Sequence, residues 1–180
     1  MTQLIGLCGS LRRASLNRKL LNHAVTAYGE CHYREGDLDL PLYNGDVEAE
    51  GIPQKVIELA EAIRAADGII ISTPEYNKGI SGVLKNALDW VSRVQGSPIA
   101  GKHVAIMTAA AGRTGGETAQ YHTRHCLIAL GADIIATPAI CVATAAQEFD
   151  DAGALSNPRY AENVQKLMDA LRRKIAAPAL

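Results

Sequence analysis

Three consecutive isoleucines, Ile69-Ile70-Ile71, stand between Gly68 and Ser72 with no polar residue among them. A short, β-branched run that is apolar at every position fits a strand covered on both faces. A half-solvated antiparallel strand would alternate apolar and polar residues instead. Leu4-Ile5-Gly6-Leu7-Cys8, closed by Gly9-Ser10, is a second run of the same kind, and Val104 to Thr108 is another. Ile134 to Val142 supplies one more, interrupted or ended by Pro138, and a weaker strand falls between His32 and Leu38.

Helical stripes separate these runs. Leu16, Leu20, Leu21, Ala24, Val25 and Tyr28 recur at helical spacing until Gly29 stops them. Ile52-Pro53 opens a second helix, with Pro at the first helical position and Val56, Leu59, Ala60 and Ile63 as its inner face. Ser81 caps a third that buries Val83, Leu84, Ala87, Leu88, Val91 and Val94. A fourth helix follows Gly116 and runs to about Leu130, and Asn157-Pro158 starts a fifth, lined by Tyr160, Val164, Leu167, Met168 and Leu171. Five strands alternating with five helices predict an α/β fold: a three-layer, doubly wound, five-stranded parallel sheet. Right-handed crossovers favour the flavodoxin-like strand order 2-1-3-4-5, with residues 1–180 forming a single domain.

Composition narrows the function. Eighteen basic against nineteen acidic residues give a net charge of −1, without the basic footprint of a nucleic-acid binder or a polybasic membrane anchor. Six Tyr, one Phe and one Trp are too few for a base-stacking platform. Met1 to Leu7 has neither the basic nor the apolar region of a signal peptide, so the expected location is cytoplasmic. Cys8, Cys31, Cys126 and Cys141 show no C-x-x-C pair, and they are expected to be small, mostly buried hydrophobes with no metal role.

In a doubly wound sheet, ligands bind beyond the carboxyl ends of the strands. Three segments occupy that edge. The first, Gly9 to Arg18, leaves a strand and enters a helix, so free N–H groups join the hydroxyls of Ser10 and Ser15, the amide of Asn17 and the guanidinium of Arg12. Those donors at a helix start make a phosphate site. Neither G-x-x-x-x-G-K-[ST] nor G-x-G-x-x-G is present, which argues against a triphosphate hydrolase or a tightly held dinucleotide. Low-molecular-weight tyrosine phosphatases also carry a cysteine at the end of the first strand, but their C-x5-R spacing would require Arg where Ala14 stands.

The second segment, Thr73 to Gly82, is rich in turn formers that present main-chain groups to the edge of a flat heterocycle, with Pro74 or Tyr76 as apolar surface. The plain alternative is an ordinary strand-to-helix turn. The third, Ala109 to Gly116, is small enough to let a ring lie against backbone. His122, His125 and Cys126 lack a further ligand at helical spacing and read as a solvated or interface helix face. Asp89 and Trp90 finish a packed helix, and His103 marks a strand entrance.

Gly-Ser-Leu-Arg at 9–12 with Ser15 and Asn17, Pro-Glu-Tyr-Asn at 74–77 and Gly-Val-Leu-Lys-Asn-Ala-Leu-Asp-Trp at 82–90 together resemble the NADPH-dependent FMN reductases, including bacterial chromate, quinone and azo reductases. The resemblance runs from about residue 4 to residue 131. It implies non-covalent FMN as cofactor and NAD(P)H as co-substrate. By position, Ser10, Leu11, Arg12, Ser15, Leu16 and Asn17 would hold the FMN phosphate. Pro74, Glu75, Tyr76, Asn77 and Lys78 would edge the isoalloxazine, and Ala110, Gly112 and Gly115 would close its other side. Ser81 stands where many members have Pro, and Ala110 where some have a flavin-contacting Ser.

The implied activity is an oxidoreductase that passes hydride through bound FMN to a small acceptor (a quinone, azo compound or chromate) by a ping-pong mechanism. No side chain is then required as a catalytic group. Lys78 and Arg113 are candidate contacts for anionic substrates. The resemblance also implies a homodimer or homotetramer. Two other readings fit the fold: an FMN-binding electron carrier without its own turnover, which a net charge of −1 disfavours, and a receiver or phosphosugar-binding domain, for which Cys8-Gly9-Ser10 lacks the receiver's acidic cluster.

Overall fold

The three isoleucines form the middle of strand β3 (Gly68–Thr73), and all three are fully buried. The structure is a computed structural model describing residues 1–177. β3 lies between β1 (Gln3–Cys8) and β6 (His103–Ala109), parallel to both, with Ile5 opposite Ile69 and Ile69 opposite Val104. Ile70 points into one core, with Leu20, Leu21, Val164 and Leu167 from helices α1 (Leu16–Tyr28) and α6 (Pro158–Ala176). Ile69 and Ile71 point into the other, with Ile63, Leu84, Leu88 and Leu127 from α3 (Gln54–Ala65), α4 (Gly82–Arg93) and α5 (Glu117–Ala129). Each buried isoleucine stabilises the sheet by about 1.5–3 kcal/mol. This is the doubly wound, flavodoxin-like α/β architecture that the periodicity predicts.

Four details correct the sequence reading. First, the sheet has six strands, in the order β2 (His32–Glu35), β1, β3, β6 and β7 (Asp133–Ile134), with β8 (Ile140–Val142) also on β6, so the expected order 2-1-3-4-5 fails at its last place. Ile134–Val142 is not one strand. β7 (Asp133–Ile134) pairs with the start of β6 and β8 (Ile140–Val142) with its end, because Pro138 between them lacks the N–H a ladder needs. Gln120 on α5 spans the gap, its Nε2 donating to the carbonyls of Ile106 (3.1 Å) and Ile140 (3.2 Å).

Second, β2 stops early, covering His32–Glu35. Third, Pro53 precedes α3 as its cap residue rather than opening it. Fourth, the described residues hold six α-helices rather than five, plus a 3-10 turn at Ala145–Gln147. The extra helix, α2 (Gly45–Glu50), buries no residue, so no apolar stripe announces it. Trp90 at the end of α4 is fully buried, and its indole donates to the Pro41 carbonyl. Among the described residues no helix is long and apolar enough to cross a membrane.

Candidate cofactor site

The loop after β1 leaves the sheet in close contact with its neighbour. The Gly9 N–H donates to the Ser72 carbonyl at 2.8 Å, and a Cβ on Gly9 would lie 2.2 Å from Thr73 Oγ1 and 2.9 Å from Ser81 Oγ. Ser15 then caps α1, its hydroxyl accepting the Arg18 N–H at 3.3 Å. The N–H groups of Leu16 and Asn17, in the first turn, have no protein acceptor among the described residues. Ser10 is buried and accepts the Arg12 N–H, and no carboxylate pairs with the Arg12 side chain among those residues.

Two residues of this loop and helix do work that the sequence does not disclose. Asn17 is 4% exposed, and its side chain is committed to the sheet. Its Oδ1 accepts from the Ala109 N–H and the Ser72 hydroxyl, both at 3.0 Å, and its Nδ2 donates to the Ala109 carbonyl at 2.9 Å. The β3–β6 register ends at Thr73 and Thr108, and Pro74 has no N–H to extend it, so Asn17 supplies Ala109 with both partners. Arg18, outside the apolar stripe of α1, binds Glu35 and the carbonyls of Ser10 and Arg12.

The segment after β3 is a hairpin rather than an ordinary strand-to-helix turn. β4 (Glu75–Tyr76) pairs antiparallel with β5 (Gly79–Ile80). Asn77 and Lys78 between them have φ of 49° and 61°, the paired left-handed conformation of a two-residue hairpin turn. The rigid turn leaves Pro74 buried and Tyr76 56% exposed.

Glu75 anchors this hairpin to α5, its carboxylate accepting the Ala119 N–H at 3.2 Å. Burial works against its charge, but the N–H of Ala119, the Lys78 ammonium (3.4 Å away) and the N–H of Thr118 outweigh it and hold its carboxyl below the usual carboxylate range. A carboxyl lowered in the folded state contributes stability that is present above its unfolded value and lost as pH falls through its folded one. Glu75→Gln is therefore expected to melt lower than the parent at pH 6, with the difference closing as the pH falls below the usual carboxylate range; thermal melts from pH 6 to pH 3 check this.

The third loop is tied down on its far side. Ala110 N–H donates to Val142, and Ala145 and Thr144 N–H donate back to Ala110 and Gly112. Gly115, buried at φ 62°, lies against the backbone of Cys141, and its carbonyl accepts the Thr108 hydroxyl at 2.8 Å. Gly116, at φ 88°, opens α5.

These three loops enclose a cleft of about 210 Å³. Of the residues expected at the site, Ser10, Arg12, Ser15, Leu16, Asn17, Pro74, Glu75, Tyr76 and Ala110 line it. Leu11, Asn77, Lys78, Gly112 and Arg113 are exposed outside that lining, and Gly115 is buried behind it. Ala109, Ala111 and Ala146 line the cleft too. Ala146 reaches it only through the 3-10 turn, a placement with no local signal. Among the described residues, no cluster of three His, Cys, Asp or Glu side chains could hold a metal ion. The lining therefore combines hydroxyls, orphan helix N–H groups and an arginine without a carboxylate partner among the described residues with three consecutive alanines and a tyrosine. A phosphate suits the first set and a flat ring the second, so the donor set fits FMN.

A cleft of this kind at the carboxyl edge of a doubly wound sheet places the protein among flavodoxin-like nucleotide-binding proteins. Residues 2–147 match the NADPH-dependent FMN reductase family, and the chain belongs to that family. FMN is accordingly its cofactor, NAD(P)H its co-substrate, and the protein an oxidoreductase. It is 40% identical over 172 residues to an NAD(P)H-dependent FMN reductase of Pseudomonas aeruginosa, covering 94% of this chain and 93% of the relative. It is 44% identical over 140 residues to a quinone reductase of Escherichia coli K12, covering 76% and 74%. FerB, a flavoenzyme NAD(P)H:(acceptor) oxidoreductase from Paracoccus denitrificans, superimposes with a TM-score of 0.88 at 29% identity over 97% of each chain. An archaeal flavodoxin at 8% identity (TM-score 0.66) shares the fold alone.

Proposed function

We propose that the protein is an NAD(P)H-dependent quinone reductase that passes electrons through FMN to a small acceptor in ping-pong order. The observation that carries this reading is the meeting of the three loops in one open cleft whose lining joins anion donors to a run of alanines. Ser10 and Ser15 hydroxyls, Arg12 and the N–H groups of Leu11, Leu16 and Asn17 would hold the phosphate. Pro74 to Lys78 would meet one edge of the ring and Ala110 to Gly115 the other. When bound, FMN supplies the redox chemistry, taking hydride from NAD(P)H and giving electrons to the acceptor.

The chain's own residues orient and shelter. Asn17 holds the end of β6 rigid, and Glu75 holds the hairpin against α5. Lys78 and Arg113, both exposed at the mouth, would draw anionic acceptors such as chromate, or the phosphates of the donor; azo compounds are further candidate acceptors. The whole chain, 1–180, is proposed to form one unit around this site and to work in the cytoplasm as a homodimer or homotetramer. Tyr121 and Ile128, 62% and 68% exposed one heptad apart on α5, offer apolar area for self-association.

The purified protein is expected to be yellow, with a flavin absorption spectrum, and to oxidise NAD(P)H rapidly when a quinone is added. A yellow protein that barely oxidises NAD(P)H would be an electron carrier instead. A colourless protein that takes up no FMN from excess would overturn the reading altogether.

A further inference from the structure

Arg18 sits in the first turn of α1, and its guanidinium reaches back beneath the loop that precedes its own helix. Nε donates to Glu35 Oε1 at 2.8 Å, Nη1 to the Arg12 carbonyl at 2.9 Å and Nη2 to the Ser10 carbonyl at 3.3 Å. The Ser10 carbonyl also receives the Cys8 thiol at 3.5 Å, and the Arg12 carbonyl the Ser15 N–H at 3.2 Å. Glu35 is carried on β2, next to β1 in the sheet, so the fork is fixed from outside the loop it grips.

Across a trans peptide, the carbonyl of one residue and the N–H of the next point in opposite directions. The loop peptides are trans, since the cis bond among the described residues is Thr137–Pro138. Pinning the carbonyls of Ser10 and Arg12 toward Arg18 therefore turns the N–H groups of Leu11 and Arg13 away from it. Unpinned, either peptide could rotate and offer an oxygen lone pair where an anion needs a donor. Glu35 neutralises the guanidinium at close range, so the contribution of Arg18 is geometric rather than a free positive charge.

We infer that Arg18 is a positioning residue for the cofactor phosphate: it sets the peptide orientations of the loop at 10–13 so that the loop meets an anion with N–H groups. This rests on the reading of that loop as the phosphate site. It predicts that lysine, which keeps the charge but lacks the planar fork, cannot replace Arg18.

The test is to titrate the flavin-free protein with FMN and with riboflavin, which lacks the phosphate, following flavin fluorescence. The parent is expected to prefer FMN by roughly a hundredfold or more, the factor that two charge-assisted hydrogen bonds supply. Arg18→Lys is expected to lose about tenfold of that preference with riboflavin affinity unchanged. Arg18→Gln, an uncharged second variant that serves equally if the lysine variant does not fold, is expected to lose at least as much. A lysine variant with the full preference beside a glutamine variant without it would make Arg18 a simple charge and overturn the inference. So would a parallel fall in both affinities, which marks a merely structural role, or a full preference in both variants. A parent that binds FMN no better than riboflavin would instead bring down the phosphate reading of the loop itself, and this inference with it.

Discussion

Gly115→Ala is expected to lower the melting temperature by roughly 10 °C and to abolish retention of FMN. The position is constrained twice. Its φ of 62° is left-handed, which costs an L-residue about 1–2 kcal/mol. A Cβ there would lie 2.4 Å from both the carbonyl carbon and oxygen of Cys141 and 2.7 Å from the Val142 carbonyl carbon. These are backbone atoms of β8 and cannot rotate away, so either β8 must leave β6 or the loop at 110–116 must lift. Overpacking of that kind adds about 1–3 kcal/mol. For a chain of 180 residues each kcal/mol moves the midpoint by roughly 2–4 °C. Gly112→Ala is the control: nothing lies within 4 Å of its Cβ, and its φ is not left-handed. That variant should stay within about 0.5 kcal/mol of the parent. Thermal melts of the two variants decide the matter. Equal melting of both would mean that the loop does not bear on β8.

Asn17→Ala is expected to destabilise the fold by about 3–5 kcal/mol, in addition to weakening flavin binding. The substitution strips the partners from two buried backbone groups, the N–H and C=O of Ala109, and from the buried Ser72 hydroxyl. Each orphaned group costs about 1–3 kcal/mol. Asn17→Asp should be nearly as damaging, because a carboxylate oxygen would replace Nδ2 opposite the Ala109 carbonyl. Denaturant unfolding measures the loss directly. If Asn17 served only as a ligand for phosphate, the alanine variant would bind FMN weakly yet unfold at the parent's denaturant concentration. That outcome would remove the residue from the framework of the sheet.

The two glycines and the asparagine show how far the amino-acid pattern could be read. Gly112 and Gly115 stand in one glycine-rich stretch and look alike as letters, yet one is open to solvent and the other is wedged against a neighbouring strand. Asn17 reads as a free amide at a helix start, yet its oxygen accepts twice from the sheet and one of its two amide hydrogens donates to it. Pro138 was visible as an interruption, but not the split it causes, with both β7 and β8 finding places along β6. The hairpin at Glu75 to Ile80 leaves no trace in the pattern because its strands are two residues each, too short for any period.

Periodicity and capping residues along the chain were enough to determine the three layers, the central isoleucine strand, the helix starts at Ser81 and Asn157, and the three loops at the ligand edge. Those properties depend on residues within one or two turns of each other, so local spacing encodes them. The partners of Asn17 lie 55 and 92 positions away, and those of Arg18 are divided between its own loop and β2. Such pairings exist only after crossovers have brought separate strands side by side. Tertiary structure alone therefore decided which polar side chains brace the cleft and which remain free to meet a ligand.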